Sequence, residues 1–238
     1  MTDETAPTTL HLLCAGASQG LISALQPRLS SEYGAVCAGR FGAVGAMKEA
    51  WVAGEPCDLV VLTQQMIEEM VAAGEVLADS VAPLGVVRTG VALRQGQAAP
   101  DVSTPAALAA ALRAADEIYF PDPVRATAGI HVAKVLRSLG LHDELSARFR
   151  TFPNGATSMR HLAQSGAPMA IGLTQVTEIL FTPGVSLAAL LPPEFELATT
   201  YTAAVPLRAA HPARALEFVR MLTAPDTAQL RQRCGFDH

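Results

Sequence analysis

Short apolar runs alternate with segments whose apolar residues recur at helical spacing. The runs are typical of buried strands, and the helical segments between them indicate right-handed crossovers and parallel pairing. The first series is predicted as strand Leu10–Cys14, helix Ser18–Tyr33, strand Val36–Gly39, helix Ala46–Ala53, strand Asp58–Leu62 and helix Gln64–Ala73.

A second series follows the strand predicted at Val86–Leu93 and a polar stretch with proline. Its predicted elements are helix Pro105–Ala115, strand Glu117–Phe120, helix Thr127–Leu139, strand Phe149–Phe152, helix Thr157–Gln164, strand Met169–Leu173, strand Tyr201–Leu207, and helices Pro212–Thr223 and Pro225–Arg233. Two such series predict an α/β protein of two lobes, each a mainly parallel sheet flanked by helices. We expect lobe 1 to comprise residues 1–86 and 204–238 and lobe 2 residues 87–203. Two crossing strands would form the hinge, with a ligand cleft between the lobes.

Composition narrows the function classes. Of 238 residues, 50% are hydrophobic and 16% charged, which is typical of a globular protein. The net charge of −5 argues against a phosphate-binding surface for nucleic acid. No uninterrupted apolar stretch reaches ~18 residues, so no membrane span is expected. The four cysteines lack metal or redox spacing and are expected to be reduced thiols.

The first nine residues are polar and acidic and lack the basic and apolar regions of a secretory signal. As given, the chain is expected to be cytoplasmic; if a signal has been removed, a periplasmic location is expected instead.

Four polar or glycine-rich turns, each between an apolar run and a helical segment, carry the candidate chemistry. The start of a helix presents unpaired backbone N–H groups and the positive end of the helix dipole, so it favours anions. Two of the turns also contain an arginine, whose planar guanidinium pairs well with a carboxylate. The turns are residues 14–20, 39–45, 120–129 and 152–158.

Five collinear segments resemble the periplasmic molybdate-binding-protein family, among the class II solute-binding proteins of ABC transporters. They are Leu12-Leu-Cys-Ala-Gly-Ala-Ser18, Ala53-Gly-Glu-Pro-Cys-Asp58-Leu-Val-Val61, Asp122-Pro123 with Thr127-Ala-Gly129 and Leu139-Gly140, Gly166-Ala-Pro-Met-Ala-Ile-Gly172, and Ala228 with Cys234-Gly-Phe236. The resemblance implies a class II periplasmic-binding-protein fold, with a ligand held at helix starts and closure by a hinge motion.

The site departs from that family's pattern. Ser18 matches the first family serine, but Arg40 and glycines replace the serine-rich second turn. The family's late site tyrosine falls at Leu173 or Thr174, and Arg125 stands where the family has a neutral or weakly basic residue. These changes favour a carboxylate ligand over molybdate.

The expected ligand-binding residues come from the four turns and one later strand. Ser18, Thr127 and Thr157 are also simple candidates for helix caps, Asn154 with Gly155 is a turn signal, and Asp122 is expected to stiffen its loop. No catalytic base can be named, and no metal or cofactor is expected. The expected ligand-binding residues are Ser18, Gln19, Arg40, Phe41, Gly42, Arg125, Thr127, Ala128, Asn154, Gly155, Thr157 and Thr174.

Three functions follow from this interpretation. The first is a receptor for a small organic anion, a di- or tricarboxylate, with an ABC permease as partner if the protein is exported. The second is an isomerase of the aconitate isomerase type, which shifts an allylic proton on a tricarboxylate. The third is a molybdate or tungstate binder. A cytosolic ligand sensor is a further alternative, although no DNA-binding segment supports it.

Overall fold

The computed structural model describes residues 7–237, and the chain divides into two compact units. Unit 1 contains the described residues up to 42, residues 46–86 and residues from 200 onward, whereas unit 2 contains residues 43–45 and 87–199. Apart from residues 43–45, the chain therefore leaves unit 1 once, after Val86, and returns at Thr200.

Unit 1 is built on the sheet order β2-β1-β3-β9, in which β1 is parallel to β2 and β3, and β9 is antiparallel to β3. The parallel pairing confirms the predicted crossovers. Its strands are β1 (Thr8–Ala15), β2 (Ala35–Gly42), β3 (Leu59–Thr63) and β9 (Ala198–Ala204), and its helices are α1 (Gln19–Tyr33), α2 (Val44–Val52), α3 (Gln64–Ala72), α8 (Pro212–Thr223) and α9 (Ala228–Arg233).

The core of unit 1 consists of the apolar strand residues and the helix faces above them. Leu10, Leu59 and Phe218 are completely buried. Helix α1 ends at Gly34, whose φ of 60° is left-handed and whose N–H donates to Ser30 O.

One buried carboxylate joins distant parts of unit 1. Asp58 is 1% exposed; its Oδ2 accepts from His11 N and its Oδ1 from His211 N, both at 2.8 Å. His211 directly precedes α8, so the carboxylate also lies at the positive end of that helix.

Unit 2 has the sheet order β4-β7-β5-β6, and β8 pairs with β4. Strand β5 is parallel to β6 and β7, whereas β4 is antiparallel to β7 and β8. The elements are β4 (Ala82–Arg94), α4 (Pro105–Ala114), β5 (Glu117–Pro121), α5 (Thr127–Ser138), β6 (Phe149–Phe152), α6 (Gly155–Ala163), β7 (Ala170–Gln175), α7 (Val176–Phe181) and β8 (Val185–Leu190).

The core of unit 2 packs α4 and α5 against the sheet through a cluster that includes Leu108, Leu112, Ile118, Leu136 and Ile171. Thr104 caps α4, because its Oγ1 accepts from Ala107 N at 3.1 Å.

Two elements were not predicted, and several boundaries were wrong: β4 begins at Ala82 rather than Val86, and β9 spans Ala198–Ala204 rather than Tyr201–Leu207. Helix α7 and strand β8 occupy a region for which the sequence predicted no element. Strand β2 continues to Gly42 rather than ending at Gly39, and a short 3-10 turn at Pro225–Thr227 precedes α9.

The four cysteines are free thiols, and burial raises the pKa of Cys37 and of Cys57 to about 12. Within residues 7–237, no helix has the length and apolar character needed to cross a membrane.

Candidate anion-binding site

The parallel strands of unit 2 place two of the predicted turns, residues 120–129 and 152–158, and the end of β7 at one edge of its sheet. Because β5, β6 and β7 run in the same direction, their carboxyl ends lie together and lead into α5, α6 and α7. A backbone hydrogen bond of 2.7 Å from Asp122 N to Phe152 O joins the first two turns. The predicted residues that follow β5 and β6, and Thr174 near the end of β7, are therefore brought to a common edge.

The turn before α5 is held by Asp122, as predicted. Its Oδ1 accepts from Val124 N at 2.7 Å and from Arg125 N at 3.1 Å, and its carbonyl accepts from Ala126 N at 3.2 Å. Arg125 is an exposed residue of this turn. The carboxylate thus fixes the backbone that carries the arginine.

The start of α5 offers three backbone donors. The first hydrogen bond of the helix runs from Ile130 N to Ala126 O at 2.9 Å, so the N–H groups of Thr127, Ala128 and Gly129 have no carbonyl four residues earlier in the helix. Thr127 does not cap the helix: Ala126 holds the cap position and makes no side-chain cap bond. These amides begin two residues after Arg125 in the chain, and backbone amides at a helix start are donors suited to an oxyanion.

The glycine-rich second turn contacts the Arg125 turn. Gly45 N donates to Arg125 O at 3.4 Å, and a Cβ at Gly45 would lie 3.2 Å from the same oxygen. Glycine thus allows the two backbones to approach closely here.

The start of α6 is already engaged with a buried carboxylate. Glu178, only 5% exposed, accepts from Gly155 N at 3.1 Å through Oε1 and from Thr174 Oγ1 at 2.6 Å through Oε2. A Cβ on Gly155 would lie 2.5 Å from Glu178 Cδ, so only glycine fits at this position. Asn154 caps the helix by accepting from Thr157 N at 2.8 Å, which makes Asn154, not Thr157, the cap residue.

Two opposing effects act on Glu178. Burial disfavours its ionised form and raises the pKa, while hydrogen bonds from Thr174 and from the amides of Ala156, Gly155 and Gln175 favour the ionised form; the net shift is upward. Glu178 was not among the site residues predicted from the sequence. The signal that could have identified it is a lone acid in the otherwise uncharged segment from Ala170 to Phe181.

In unit 1, Ser18 and Gln19 lie at the start of α1. Ser18 is completely buried and its Oγ donates to Ala15 O at 2.8 Å, so it makes no cap bond to the helix. Gln19 is half-buried as the first helical residue. Their contact with a ligand stays a prediction.

Arg40, Phe41 and Gly42 lie inside β2, not beyond its end as the sequence predicted. Arg40 is exposed and forms an ion pair with Glu55. The Phe41 ring lies against Gly39, where it leaves no space for a Cβ. A ligand contact by Arg40 requires release of Glu55, so its role also stays a prediction.

Two histidines, His131 in α5 and His161 in α6, lie in the helices that follow these turns. His131 Nε2 lies 2.8 Å from Phe195 O, and the His161 ring stacks on Phe152 with centroids 4.1 Å apart. Among residues 7–237, no group of three or more histidine, cysteine, aspartate or glutamate side chains is placed to hold a metal ion.

Comparison with known proteins supports the predicted fold. The periplasmic molybdate-binding protein of Azotobacter vinelandii superposes with a TM-score of 0.78 at 18% identity, covering 96% of this chain and 99% of that one. The sulfate-binding protein of Mycobacterium tuberculosis superposes with a TM-score of 0.70 at 18% identity, over 96% and 86% of the two chains. Both likenesses confirm the periplasmic-binding-protein-like fold.

A sequence relative is the aconitate isomerase of a Pseudomonas species, 26% identical over 237 residues, which cover 96% of this chain and 87% of that protein. The model of one family matches residues 10–237, nearly the whole length, and its description is bacterial extracellular solute-binding protein. The resemblance inferred from the sequence motifs is confirmed at the level of the fold. The chain belongs to the bacterial extracellular solute-binding protein family.

Proposed function

We propose that this protein binds a small di- or tricarboxylate. The observation that carries the proposal is the start of α5, where three backbone N–H groups outside the helical hydrogen-bond ladder lie beside Arg125. Backbone amides alone suit a tetrahedral oxyanion, whereas an added guanidinium suits a planar carboxylate. The relative named aconitate isomerase supports a ligand with several carboxylates.

The roles divide between the two helix starts of unit 2. At α5, the amides of Thr127 and Ala128 bind one carboxylate of the ligand, and Arg125 pairs with it or with a second one. At α6, Glu178 takes the amide of Gly155, so this helix start presents a polar wall and not a second anion site.

Calorimetric titration with citrate, cis-aconitate, trans-aconitate, molybdate and sulfate tests the proposal. Arg125→Ala should weaken carboxylate binding by about 1.5–3 kcal/mol, the range for a hydrogen bond to a charged group. Arg113→Ala is the matched control, because Arg113 pairs with Glu144 on the surface of the same unit. Tight binding of molybdate with none of the carboxylates would refute the proposal.

A proline substitution tests the contribution of the backbone amides at the start of α5 separately from that of Arg125. Thr127→Pro removes one N–H at the first helical position, where proline is favoured, and Ala126 already has the extended conformation that precedes proline (φ −98°, ψ 130°). We expect Thr127→Pro to keep the fold and lose affinity, and Thr127→Ala, which keeps the N–H, to bind almost normally. Equal carboxylate affinity of both variants and the wild type would show that the Thr127 amide does not bind the ligand.

A second function, isomerisation of the bound tricarboxylate, is favoured by the aconitate isomerase relative. The reaction needs a base beside the allylic carbon and donors that stabilise a carbanion-like state. Proton NMR of trans-aconitate with the protein measures it directly, through appearance of the cis isomer. Binding of trans-aconitate without turnover at high protein concentration would rule out the isomerase function and be consistent with a receptor alone.

A further inference from the structure

The carboxylate of Glu178, buried in unit 2, has the partners that a bound carboxylate ligand would have. Its Oε1 accepts from Gly155 N at 3.1 Å and its Oε2 from Thr174 Oγ1 at 2.6 Å. The amides of Ala156 and Gln175 also donate to it. Two of the three amides belong to the start of α6, the end of a helix that favours an anion. Glu178 therefore places a carboxylate in a site of four donors, tethered through its own backbone in α7.

The four donors are closed to solvent by the same side chain that they bind. Glu178 is only 5% exposed, and Thr174 is completely buried. A Cβ on Gly155 would overlap Thr174 Oγ1 and lie 2.5 Å from Glu178 Cδ, so the bare backbone of α6 forms one wall of the site. A ligand therefore cannot reach these donors while Glu178 holds them.

The start of α5 differs, because the acid of its turn binds amides that precede the helix. Asp122 accepts from the amides of Val124 and Arg125. Both residues come before the first helical residue, Thr127. The two helix starts are neighbours, since Asp122 N donates to Phe152 O in the turn that leads into α6. An ionised carboxylate fixed at α6 therefore repels negative charge held at α5, and the repulsion grows with the charge of the ligand.

We propose that Glu178 sets the charge selectivity of the ligand site in unit 2, by filling the start of α6 as an internal carboxylate. Of these two helix starts, only α5 is then open to a carboxylate of the ligand, and Glu178 disfavours each additional negative charge placed beside it. The selectivity rests on the carboxylate binding proposed above. The filling of the α6 start does not, because it depends on Glu178 and its four donors alone.

Removal of the side chain tests whether the start of α6 is a carboxylate site. Glu178→Ala vacates the four donors, and formate is small enough to replace the missing carboxylate. We expect formate, compared with chloride at equal ionic strength, to raise the melting temperature of Glu178→Ala saturably and far more than that of the wild type or of Glu144→Ala. Glu144 is the control because it is an exposed acid of the same unit, paired with Arg113. A Glu178→Ala protein that folds only in formate would support the proposal equally, whereas one that formate stabilises no more than the wild type would overturn it.

Calorimetric titration of Glu178→Gln, which removes the charge and keeps the shape, measures the selectivity. Propane-1,2,3-tricarboxylate and glutarate are suitable probes, because they share a carbon chain and differ by one carboxylate. The ratio of tricarboxylate to glutarate affinity should rise about three- to fivefold in Glu178→Gln and stay unchanged in Glu144→Gln. An unchanged ratio in Glu178→Gln would overturn the proposed selectivity. Failure of the wild type to bind either acid would instead refute the carboxylate binding itself, and the formate response would still decide whether Glu178 fills an anion site.

Discussion

The packing of Gly155 against Glu178 gives a quantitative prediction for Gly155→Ala. The added Cβ would lie 2.5 Å from Glu178 Cδ and would overlap the carboxylate oxygen that Thr174 contacts. The Glu178 side chain would therefore have to move. Two of its hydrogen bonds, from Gly155 N at 3.1 Å and from Thr174 Oγ1 at 2.6 Å, would be lost together.

The size of the effect follows from those two bonds. Hydrogen bonds to a charged group contribute about 1.5–3 kcal/mol each, so losing two costs about 3–6 kcal/mol. Replacing glycine by alanine in a helix returns about 1 kcal/mol. We expect Gly155→Ala to lower the free energy of unfolding by about 2–5 kcal/mol.

Urea denaturation followed by circular dichroism measures this difference, and Gly166→Ala is the control. Gly166 belongs to the same unit, has no left-handed φ, and has no atom within 4 Å of the Cβ position. A Gly155→Ala protein as stable as the control would refute the reasoning. A further check is the double variant with Glu178→Ala: because the clash is then absent, its cost should be less than the sum of the single costs.

Three other predictions concern buried charges and the Trp51 contact. Folding raises the pKa of Glu178, so the wild type loses stability as pH rises above the ordinary carboxyl range and this side chain ionises. The free energy of unfolding of Glu178→Gln, measured by denaturation, should therefore increase relative to that of the wild type between ~pH 4 and ~pH 8. A relative decrease would contradict this prediction. The Arg208 guanidinium lies 3.5 Å from the Trp51 ring centroid and donates to Trp51 O at 2.7 Å. Arg208→Ala should therefore lower the free energy of unfolding by about 1–2 kcal/mol and shift the fluorescence emission of the single tryptophan to longer wavelength. Unchanged emission would exclude the stacked arrangement in solution. Asp58→Asn leaves one of two backbone N–H groups without an acceptor and should cost about 1.5–3 kcal/mol in urea denaturation; a loss below ~0.5 kcal/mol would show that the amide replaces both bonds.

Most elements of the fold could be predicted because apolar periodicity is a property of the sequence itself. The structure differs from the prediction where the apolar pattern is too short to assign, or where a strand is extended by pairing with another strand. Helix α7 has six residues and directly follows β7, so the two form one uncharged apolar run in the sequence up to Glu178. The extension of β2 to Gly42 comes from its register with β1, where Ala15 pairs with Gly42, and pairing with another strand is not encoded locally.

The candidate site was predictable only where its contacts are local. The Asp122 carboxylate accepts from the amides of Val124 and Arg125, two and three residues later, and its role followed from the proline-rich turn. Glu178 and Gly155 are 23 residues apart, so nothing near either residue in the sequence indicates their contact. The choice between Asn154 and Thr157 as cap depended on where α6 begins, and Gly155 at its start decided it.

The carboxylate of Asp58 implies an order of assembly. Its two amide donors lie 47 and 153 residues away along the chain, and the second, His211, follows the whole of unit 2. During synthesis, β1, β2 and β3 emerge early, but β9 and α8 cannot join them until residues 87–199 have been made. Closing so long a loop is slow unless the intervening chain is compact. Unit 2, by contrast, is almost entirely one continuous segment, and its folding shortens the loop that unit 1 must close. We therefore expect unit 2 to fold first and completion of unit 1 to be the slow step in refolding.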